Sequence, residues 1–385
     1  MRMLFTALGA HGHLYPLMPL AVAAREAGHH VVFATAEDFH ATLGKAGFEP
    51  AKAGLTIGEA FATQISGDPR QAREEAPPEV LNALIGKVFG RVMPDAFAAD
   101  LRALFEQNRP DLVVYEFGNA GGAFAAMTAG IPAVGHGFGR VSRDGQMIEI
   151  ERVMQEHAAE LGITDDRPSW GNPVVDICPP SVQAPDFLAR ARRLPLRPVG
   201  WSDAGDLPDG VADRDRGRPL VYLTLGTSPM SQAAVFTSAI TGLSGLDADV
   251  LVATGPSLDP ASLGEVPPNV RLESWVAQSA LLPHVDLVVH HGGSGTTLGA
   301  FSAGAPQLVL PQGADQFTNA EAVLASGTGT RLLGDEVTAE SVHETAARLL
   351  TDSTVADAVR GVAAEVAGMP SPAEVVQGLV SVYDG

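Results

Sequence analysis

A glycine-rich turn carrying three hydroxyl side chains, residues 290–297, has the composition of an anion-binding site. Its sequence is His-His-Gly-Gly-Ser-Gly-Thr-Thr, between an apolar run at 286–289 that predicts a buried strand and a segment at 298–303 that predicts a helix. Backbone N–H groups and the helix dipole converge at such a junction, and glycines let the backbone approach a phosphate closely. We therefore predict a diphosphate cradle here. The alternative is a glycine turn that binds nothing.

An indole and a backbone segment upstream of this turn suit a nucleotide base. Trp275 and Val276 follow the short predicted strand that begins at Val270. A planar base stacked on an indole gains about 1–3 kcal/mol, and the backbone of Val276 can pair with the base edge. A simple core role for Trp275 is the alternative.

Polar residues after two further predicted strands extend the same site. Thr227 and Ser228 follow Gly226 and can donate hydroxyl hydrogen bonds to a phosphate. Asp315 and Gln316 can bind the vicinal hydroxyls of a sugar. Because carboxylates commonly cap helix N-termini, a capping role for Asp315 stays open.

The elements that carry these residues form two similar halves. Residues 3–35 and 219–254 each read as strand, glycine turn, helix and strand, with the continuously apolar strands that parallel sheets require. We predict an α/β protein with two tandem doubly wound domains facing across a cleft. The expected limits are 1–200 and 218–370, a linker at 201–217, and a final helix within 371–385 packing back toward the first domain.

Two stretches of the first half, about 54–95 and 138–172, look irregular and contain scattered large apolar residues. Such residues suit a pocket for a hydrophobic acceptor, although each one also suits an ordinary core. The candidates are Phe61, Phe89, Met93, Phe97, Phe138, Met147, Met154 and Trp170.

Composition excludes several functional classes. The formal charge of −20 over 385 residues argues against binding nucleic acid or an anionic membrane surface. The single cysteine, Cys178, excludes an internal disulfide framework and fits a reducing compartment. Because the first apolar segment is short and no apolar run reaches the ~18 residues of a membrane span, we expect a cytoplasmic protein.

A set of motifs at fixed order and spacing resembles the donor-binding region of the GT-B family 1 glycosyltransferases. Within that family the chain is most similar to actinomycete antibiotic enzymes of the enediyne (calicheamicin) and macrolide type, and the N-terminal motif extends the resemblance over essentially the whole chain. The motifs are Trp275-Val276 with Gln278, Leu281-Leu282-Pro283, His290 to Thr296, Gly304-Ala305-Pro306, Asp315-Gln316 with Asn319-Ala320, and Gly12-His13-Leu14-Tyr15-Pro16.

The resemblance implies an inverting, metal-independent hexosyl transfer in antibiotic biosynthesis. The sugar would pass from a nucleoside diphosphate sugar, with dTDP as the implied nucleotide, to a hydrophobic aglycone, with no bound cofactor. The resemblance also implies that Trp275 faces the base and that Asp315 and Gln316 hold the sugar. The diphosphate is held by His291, Gly293, Ser294, Gly295 and Thr296. A homodimer is left open.

Acceptor activation needs a base, because a hydroxyl is a poor nucleophile near neutral pH. His13 lies in the first strand-to-helix turn and matches the histidine of the family's G-H-x-x-P motif. The family orients it with an aspartate at the end of a later strand, where this chain has Glu116. His11 competes for the role of base. His11 and His13 as metal ligands are disfavoured, since no carboxylate or cysteine has ligand spacing nearby.

Two other functional classes share this scaffold and stay open on sequence alone. A nucleotide-sugar 2-epimerase would need no hydrophobic acceptor chamber. A non-catalytic nucleotide-sugar-binding activator would need neither His13 nor the complete donor motif.

Overall fold

The computed structural model describes residues 1–65, 77–141, 145–202, 207–214, 217–226, 233–255 and 258–383. The chain divides into two compact units, and each is described by itself. Unit 1 comprises Met1–Cys178, Ala184–Leu196 and Pro370–Gly385, and unit 2 comprises Pro179–Gln183 and Arg197–Met369.

Unit 1 is built on a seven-stranded sheet whose neighbouring strands all run parallel, in the order β3-β2-β1-β4-β5-β6-β7. The strands are β1 Arg2–Thr6, β2 His30–Thr35, β3 Glu49–Lys52, β4 Leu112–Glu116, β5 Ala133–His136, β6 Pro173–Asp176 and β7 Arg192–Pro195. Every side chain of the central strand β4 is buried, which explains its continuous apolar run. The order changes direction between β1 and β4, and ligands of such folds bind beyond the strand ends at this switch point.

The helices of unit 1 cover a larger part of the chain than the sequence indicates. They are α1 His11–Leu14, α2 Met18–Glu26, α3 His40–Lys45, α4 Ile57–Ala62, α5 Pro78–Lys87, α6 Met93–Gln107, α7 Ala120–Thr128, α8 Gly145–Glu160, α9 Pro185–Arg190 and, from the end of the chain, α16 Pro372–Tyr383. A π-helical turn, Val88–Val92, joins α5 to α6. The stretches expected to be irregular are therefore largely helical where they are described.

Most of the apolar residues proposed to line an acceptor pocket belong to the core of unit 1. Burial of these side chains against the sheet and α6 uses their apolar surface, so the core reading is correct for them. Phe61, Met93, Phe97, Met154 and Trp170 are buried there, and Phe89 and Met147 pack against the same cluster. Phe138 is the exception and is described with the site below.

Unit 2 repeats the plan with six parallel strands in the order β10-β9-β8-β11-β12-β13. The strands are β8 Leu220–Thr224, β9 Asp249–Ala253, β10 Val270–Glu273, β11 Leu287–His290, β12 Gln307–Val309 and β13 Gly329–Arg331. The helices are α10 Ala233–Ser244, α11 Gln278–Leu281, α12 Ser294–Ala303, α13 Gln316–Ala325, α14 Ala339–Thr351 and α15 Ser353–Ala367. The switch point here lies between β8 and β11.

The last described helix, α16, packs against α2 and so belongs to unit 1, although unit 2 precedes it in the chain. Val375, Val376 and Leu379 are its buried residues. Within the described part of the chain, no helix combines the length and the apolar character that crossing a bilayer requires.

Candidate active site

The switch point of unit 1 brings together a histidine and a fully buried carboxylate. His13 lies in α1, directly after the loop that leaves β1, and Glu116 is the last residue of β4. His13 Nδ1 lies 3.1 Å from Glu116 Oε2, with 26% of the histidine side chain and 0% of the glutamate side chain exposed. This separation is within reach of a charge-assisted hydrogen bond. In the tautomer that donates from Nδ1, Nε2 is the unprotonated ring nitrogen.

The surroundings of Glu116 fix its second oxygen. The backbone N–H of Gly118 donates a hydrogen bond to Glu116 Oε1. A Cβ atom at position 118 would lie 2.9 Å from that oxygen, so glycine permits the close approach. Asn119 caps α7 and donates through Nδ2 to Thr6 Oγ1 at 3.0 Å, which ties the end of β4 to the end of β1. The carboxylate therefore has a fixed orientation.

Aromatic neighbours distinguish the two histidines of α1. The ring of His13 lies 4.9 Å from that of Phe138, so the candidate base has an apolar neighbour. His11 packs edge-on against Tyr15 and Phe39, with ring centroids 5.0 and 5.1 Å away. The structure thus pairs His13, rather than His11, with the buried carboxylate.

In unit 2 the glycine-rich turn ends β11 and opens α12, as the sequence predicts. Gly293 is the N-cap residue of α12, and no side chain caps the helix. The first N–H groups of a helix have no intrahelical acceptor, so Ser294, Gly295 and Thr296 present backbone donors at this end. The dipole of α12 adds a partial positive charge.

His291 packs between two glycines, one from each strand end of the switch point. A Cβ atom at Gly226, which has φ +78°, would lie 2.6 Å from His291 Cε1, and a Cβ atom at Gly293 would also collide with the ring. Burial lowers the pKa of His291 to about 4, and a hydrogen bond with the Thr224 backbone raises this pKa by a smaller amount. The imidazole is therefore neutral near pH 7 and can donate one N–H.

The side chains of the cradle are linked to the next loop of unit 2. Ser294 Oγ donates to Asp315 Oδ2 at 2.8 Å. Asn319 Nδ2 donates to Gly292 O at 2.8 Å, to Ser294 Oγ at 3.0 Å and to Asp315 Oδ2 at 3.2 Å. Although Asp315 occupies the N-cap position of α13, its side chain makes no capping bond there. Its bonds instead join the predicted diphosphate and sugar positions into one network.

The remaining predicted donor residues lie around this network in unit 2. Trp275 is 43% exposed, so the core reading of this indole is wrong, while Val276 is buried. Thr296 Oγ1 donates to Gln278 Oε1 at 3.2 Å. Gln316 Oε1 accepts from the backbone N–H groups of Gln312 at 2.7 Å and Gly313 at 3.1 Å. Thr227 and Ser228 lie outside the described residues.

Sequence reasoning assigned no role to several residues that hold these groups in place. Gln278 and Asn319 belong to the quoted motifs. The available signal was their position, three residues after Trp275 and four residues after Asp315. His290 stood beside a candidate and received no role of its own. In the described part of the chain, no group of three or more His, Cys, Asp and Glu side chains is placed to hold a metal ion.

Three histidines with lowered pKa values predict that the protein loses stability in weak acid. Burial lowers the pKa of His136 and His291 to about 4 and that of His290 to about 3. Between these values and about 6.5 the unfolded imidazoles bind protons that the folded ones do not, so stability falls as the pH falls. Each group contributes up to about 1.4 kcal/mol per pH unit.

Urea denaturation at pH 7 and pH 5 checks this expectation. We expect the free energy of unfolding to be lower at pH 5 by a few kcal/mol. A His136→Asn variant should show a smaller difference between the two pH values. Equal stability of the wild-type protein at both pH values would show that these rings are not held neutral.

Two family models match the chain, one over each half. They describe the N-terminal domain of erythromycin biosynthesis protein CIII-like proteins at residues 22–226 and the C-terminal domain at residues 238–382. A curated relative, elloramycin glycosyltransferase ElmGT of Streptomyces olivaceus, is 34% identical, and the match covers 90% of this chain and 92% of the relative.

Solved structures show the same architecture. Glycosyltransferase SnogD from Streptomyces nogalater has a TM-score of 0.79 at 29% identity, over 100% of this chain and 99% of that one. SsfS6 of Streptomyces sp. SF2575, complexed with thymidine diphosphate, has a TM-score of 0.78 at 29% identity, over 99% of both chains. The predicted α/β fold class with two doubly wound domains, the resemblance and the enzyme class are confirmed. The chain belongs to the erythromycin biosynthesis protein CIII-like family and is a GT-B family 1 glycosyltransferase of the actinomycete antibiotic type.

Proposed function

We propose that this enzyme transfers a sugar or deoxysugar from a dTDP-sugar to a hydroxyl group of a hydrophobic antibiotic aglycone, with inversion and without a metal ion. The observation that carries the proposal is the contact between His13 Nδ1 and the buried Glu116 Oε2, at 3.1 Å. Activation of an acceptor hydroxyl needs a base that a carboxylate positions, whereas a protein that only binds nucleotide sugars needs no such base.

The nucleotide part of the proposal is supported by unit 2 and by its relatives. The backbone donors at the start of α12 and the His291 ring can bind the diphosphate oxygens. The exposed Trp275 can stack on the base. SsfS6 has been solved in complex with thymidine diphosphate, and VinC has been solved in complex with dTDP. The base of the donor would therefore be thymine, stacked on Trp275.

The acceptor part rests on the surroundings of His13 and on the names of the relatives. Phe138 lies against the His13 ring, which provides apolar surface beside the candidate base. The relative from Streptomyces olivaceus is named for elloramycin, and the matching family is named for erythromycin biosynthesis. Both names point to antibiotic aglycones as the class of acceptor.

The proposed reaction moves one proton and exchanges one bond. His13 Nε2 takes the proton of the acceptor hydroxyl, while Glu116 keeps the proton of Nδ1 in place and stabilises the imidazolium that forms. The acceptor oxygen bonds to the anomeric carbon as the bond from that carbon to the diphosphate oxygen breaks. The diphosphate leaves with the electron pair and is stabilised by the α12 N-terminus, the N–H of His291 and the cradle amides.

A donor and acceptor panel tests the function as a whole. The purified enzyme is incubated with dTDP- and UDP-sugars and hydroxylated hydrophobic aglycones, and products are identified by mass spectrometry and by the anomeric coupling constant. We expect a glycoside of opposite anomeric configuration from a dTDP-sugar. Epimerised donor without transfer would support the epimerase alternative, and binding without turnover would support the activator alternative.

Variants of the histidine and glutamate test the proposed base. We expect His13→Ala to lower kcat by about 10²-fold or more, because the acceptor proton loses its positioned acceptor. Glu116→Gln should also lower kcat strongly, since an amide does not stabilise an imidazolium, and Glu116→Asp should retain more activity than Glu116→Gln.

His11→Ala is the matched control in the same helix, and dTDP affinity measured by calorimetry separates chemistry from donor binding. All four variants should bind dTDP as the wild-type protein does. Wild-type turnover by His13→Ala, or a loss in His11→Ala that exceeds the loss in His13→Ala, would show that the base is assigned to the wrong residue.

Chelation tests the metal-free part of the proposal. Between Trp275 and Ala320, the span of the donor motifs, the sequence has no D-x-D pair, so leaving-group charge would be stabilised by backbone dipoles and polar side chains. We expect unchanged turnover in EDTA. Turnover that is lost in EDTA and restored by magnesium would contradict this mechanism.

A glycine variant tests the placement of His291. Gly226→Ala should weaken dTDP binding by about tenfold, because the added Cβ displaces the imidazole and removes one hydrogen bond to the diphosphate. Gly264→Ala is the control, since Gly264 also has a positive φ, +72°, but faces open space. Both variants carry about 1 kcal/mol of backbone strain, measured by urea denaturation. Equal dTDP affinity of the two variants would show that the ring position does not matter for binding.

A further inference from the structure

A second histidine, His290, lies behind the diphosphate cradle and is fully buried. It is the last residue of β11, with 0% of its surface exposed. Its Nδ1 accepts a hydrogen bond from the backbone N–H of Gly292 at 3.1 Å. Its Nε2 lies 2.9 Å from Oε1 of Gln307, the first residue of the neighbouring strand β12. Both ring nitrogens are therefore in hydrogen-bonding contacts.

These two contacts allow only one protonation state of the ring. A backbone N–H can only donate, so Nδ1 of His290 must be unprotonated. A neutral imidazole then carries its proton on Nε2, which donates it to Gln307 Oε1. An imidazolium would instead place two N–H groups, one from the ring and one from Gly292, against each other. Gln307 thus determines the tautomer, and the tautomer provides the acceptor for Gly292.

The residue held in this way, Gly292, is the turning point of the cradle. Its φ is +94°, and a Cβ atom there would lie 2.8 Å from both Gln316 O and Val309 Cγ1. Its N–H is bound by His290, and its carbonyl accepts from Asn319 Nδ2 at 2.8 Å. With both groups fixed, the two peptide planes around Gly292 have one orientation. One plane follows His291, and the other leads to Gly293 and the first amides of α12.

We propose that His290 and Gln307 form a positioning pair that sets the geometry of the diphosphate cradle without touching the donor. The pair orients the Gly292 peptide and through it places the His291 ring on one side and the α12 amides on the other. Neither side chain reaches the surface, so the pair acts only through the backbone of the turn. This inference rests on the proposed binding of a nucleoside diphosphate at the cradle.

The test uses the full-length protein and a set of matched variants. His290→Asn keeps an acceptor at the position of Nδ1, His290→Leu removes it, and Gln307→Glu places a carboxylate against Nε2 and so favours the imidazolium. His343→Leu removes a different imidazole of unit 2, one whose Nδ1 contacts Gly242 O at 3.1 Å on α10. Thymidine diphosphate is the ligand in calorimetry, and donor and acceptor KM values are measured beside it.

We expect His290→Leu and Gln307→Glu to weaken thymidine diphosphate binding and to raise the donor KM by about tenfold, while the acceptor KM is unchanged. His290→Asn should recover most of the affinity, and His343→Leu should bind as the wild-type protein does. A general loss of structure would raise both KM values and would not be relieved by asparagine. If His290→Leu does not fold, Gln307→Glu alone decides the outcome.

A spectroscopic measurement tests the pair independently of any ligand. Long-range ¹H–¹⁵N correlation spectra of the wild-type protein should show His290 as the neutral Nε2–H tautomer, and the Gly292 amide should be protected from hydrogen exchange. The opposite tautomer, or wild-type affinity in both His290→Leu and Gln307→Glu, would overturn the proposal. If the wild-type protein does not bind thymidine diphosphate but shows the expected tautomer, the proposed function fails while the positioning of Gly292 stands.

Discussion

A carboxylate without exposed surface is the constraint around which unit 1 organises its switch point. Burying a carboxylate is costly unless hydrogen bonds compensate it. Glu116 has the Gly118 amide on one oxygen and the His13 ring beside the other. One partner, Gly118, follows β4, and the other, His13, lies in α1. These contacts therefore also fix the position of the loop between β1 and α1. The position of the imidazole follows from the need to satisfy the glutamate.

Under the proposed function, unit 2 binds a negatively charged diphosphate with backbone groups and neutral side chains. Burial lowers the pKa values of His290 and His291 to about 3 and about 4, so neither ring brings a positive charge. Oriented N–H groups and a helix dipole attract a diphosphate without requiring a buried cation. Such a site needs accurate peptide orientation, which explains why a glycine at φ +94° is held from both sides. Rigidity of the turn replaces formal charge.

The sequence predicted the parts of this fold that depend on continuous burial. The apolar run at 286–289 predicted β11, Leu287–His290, within one residue. The units at 3–35 and 219–254 overlap β1 with β2 and β8 with β9, because continuously apolar runs fit a sheet covered on both faces. Edge strands such as Glu49–Lys52 and Arg192–Pro195 were missed, since their polar residues and prolines carry no such pattern. The helices within 54–95 and 138–172 were missed because their apolar residues are scattered in the sequence. Only the packing of the helices brings them into one core.

Candidate residues with a local motif were also predictable, whereas contacts between distant residues did not follow from spacing. His13 and the turn around Gly293 stand out by type and spacing. The contact of Glu116 with His13 joins residues about a hundred positions apart and depends on strand order, and the resemblance to the family, rather than spacing, pointed to Glu116. The bond of His290 to Gln307 depends on the pairing of β11 with β12, and no spacing rule in one sequence indicates which buried polar side chains will meet. Tertiary register supplies that information.

The path of the chain has a consequence for how the molecule is made. Unit 1 requires α16, which packs against α2 from the far end of the chain, whereas unit 2 ends at Met369. During synthesis from the N-terminus, the ribosome therefore releases every segment of the later unit before it releases the last piece of the earlier one. The nascent chain would therefore carry all of unit 2 while the half with His13 still lacked its last helix, so the earlier unit is the one that must wait for its final segment.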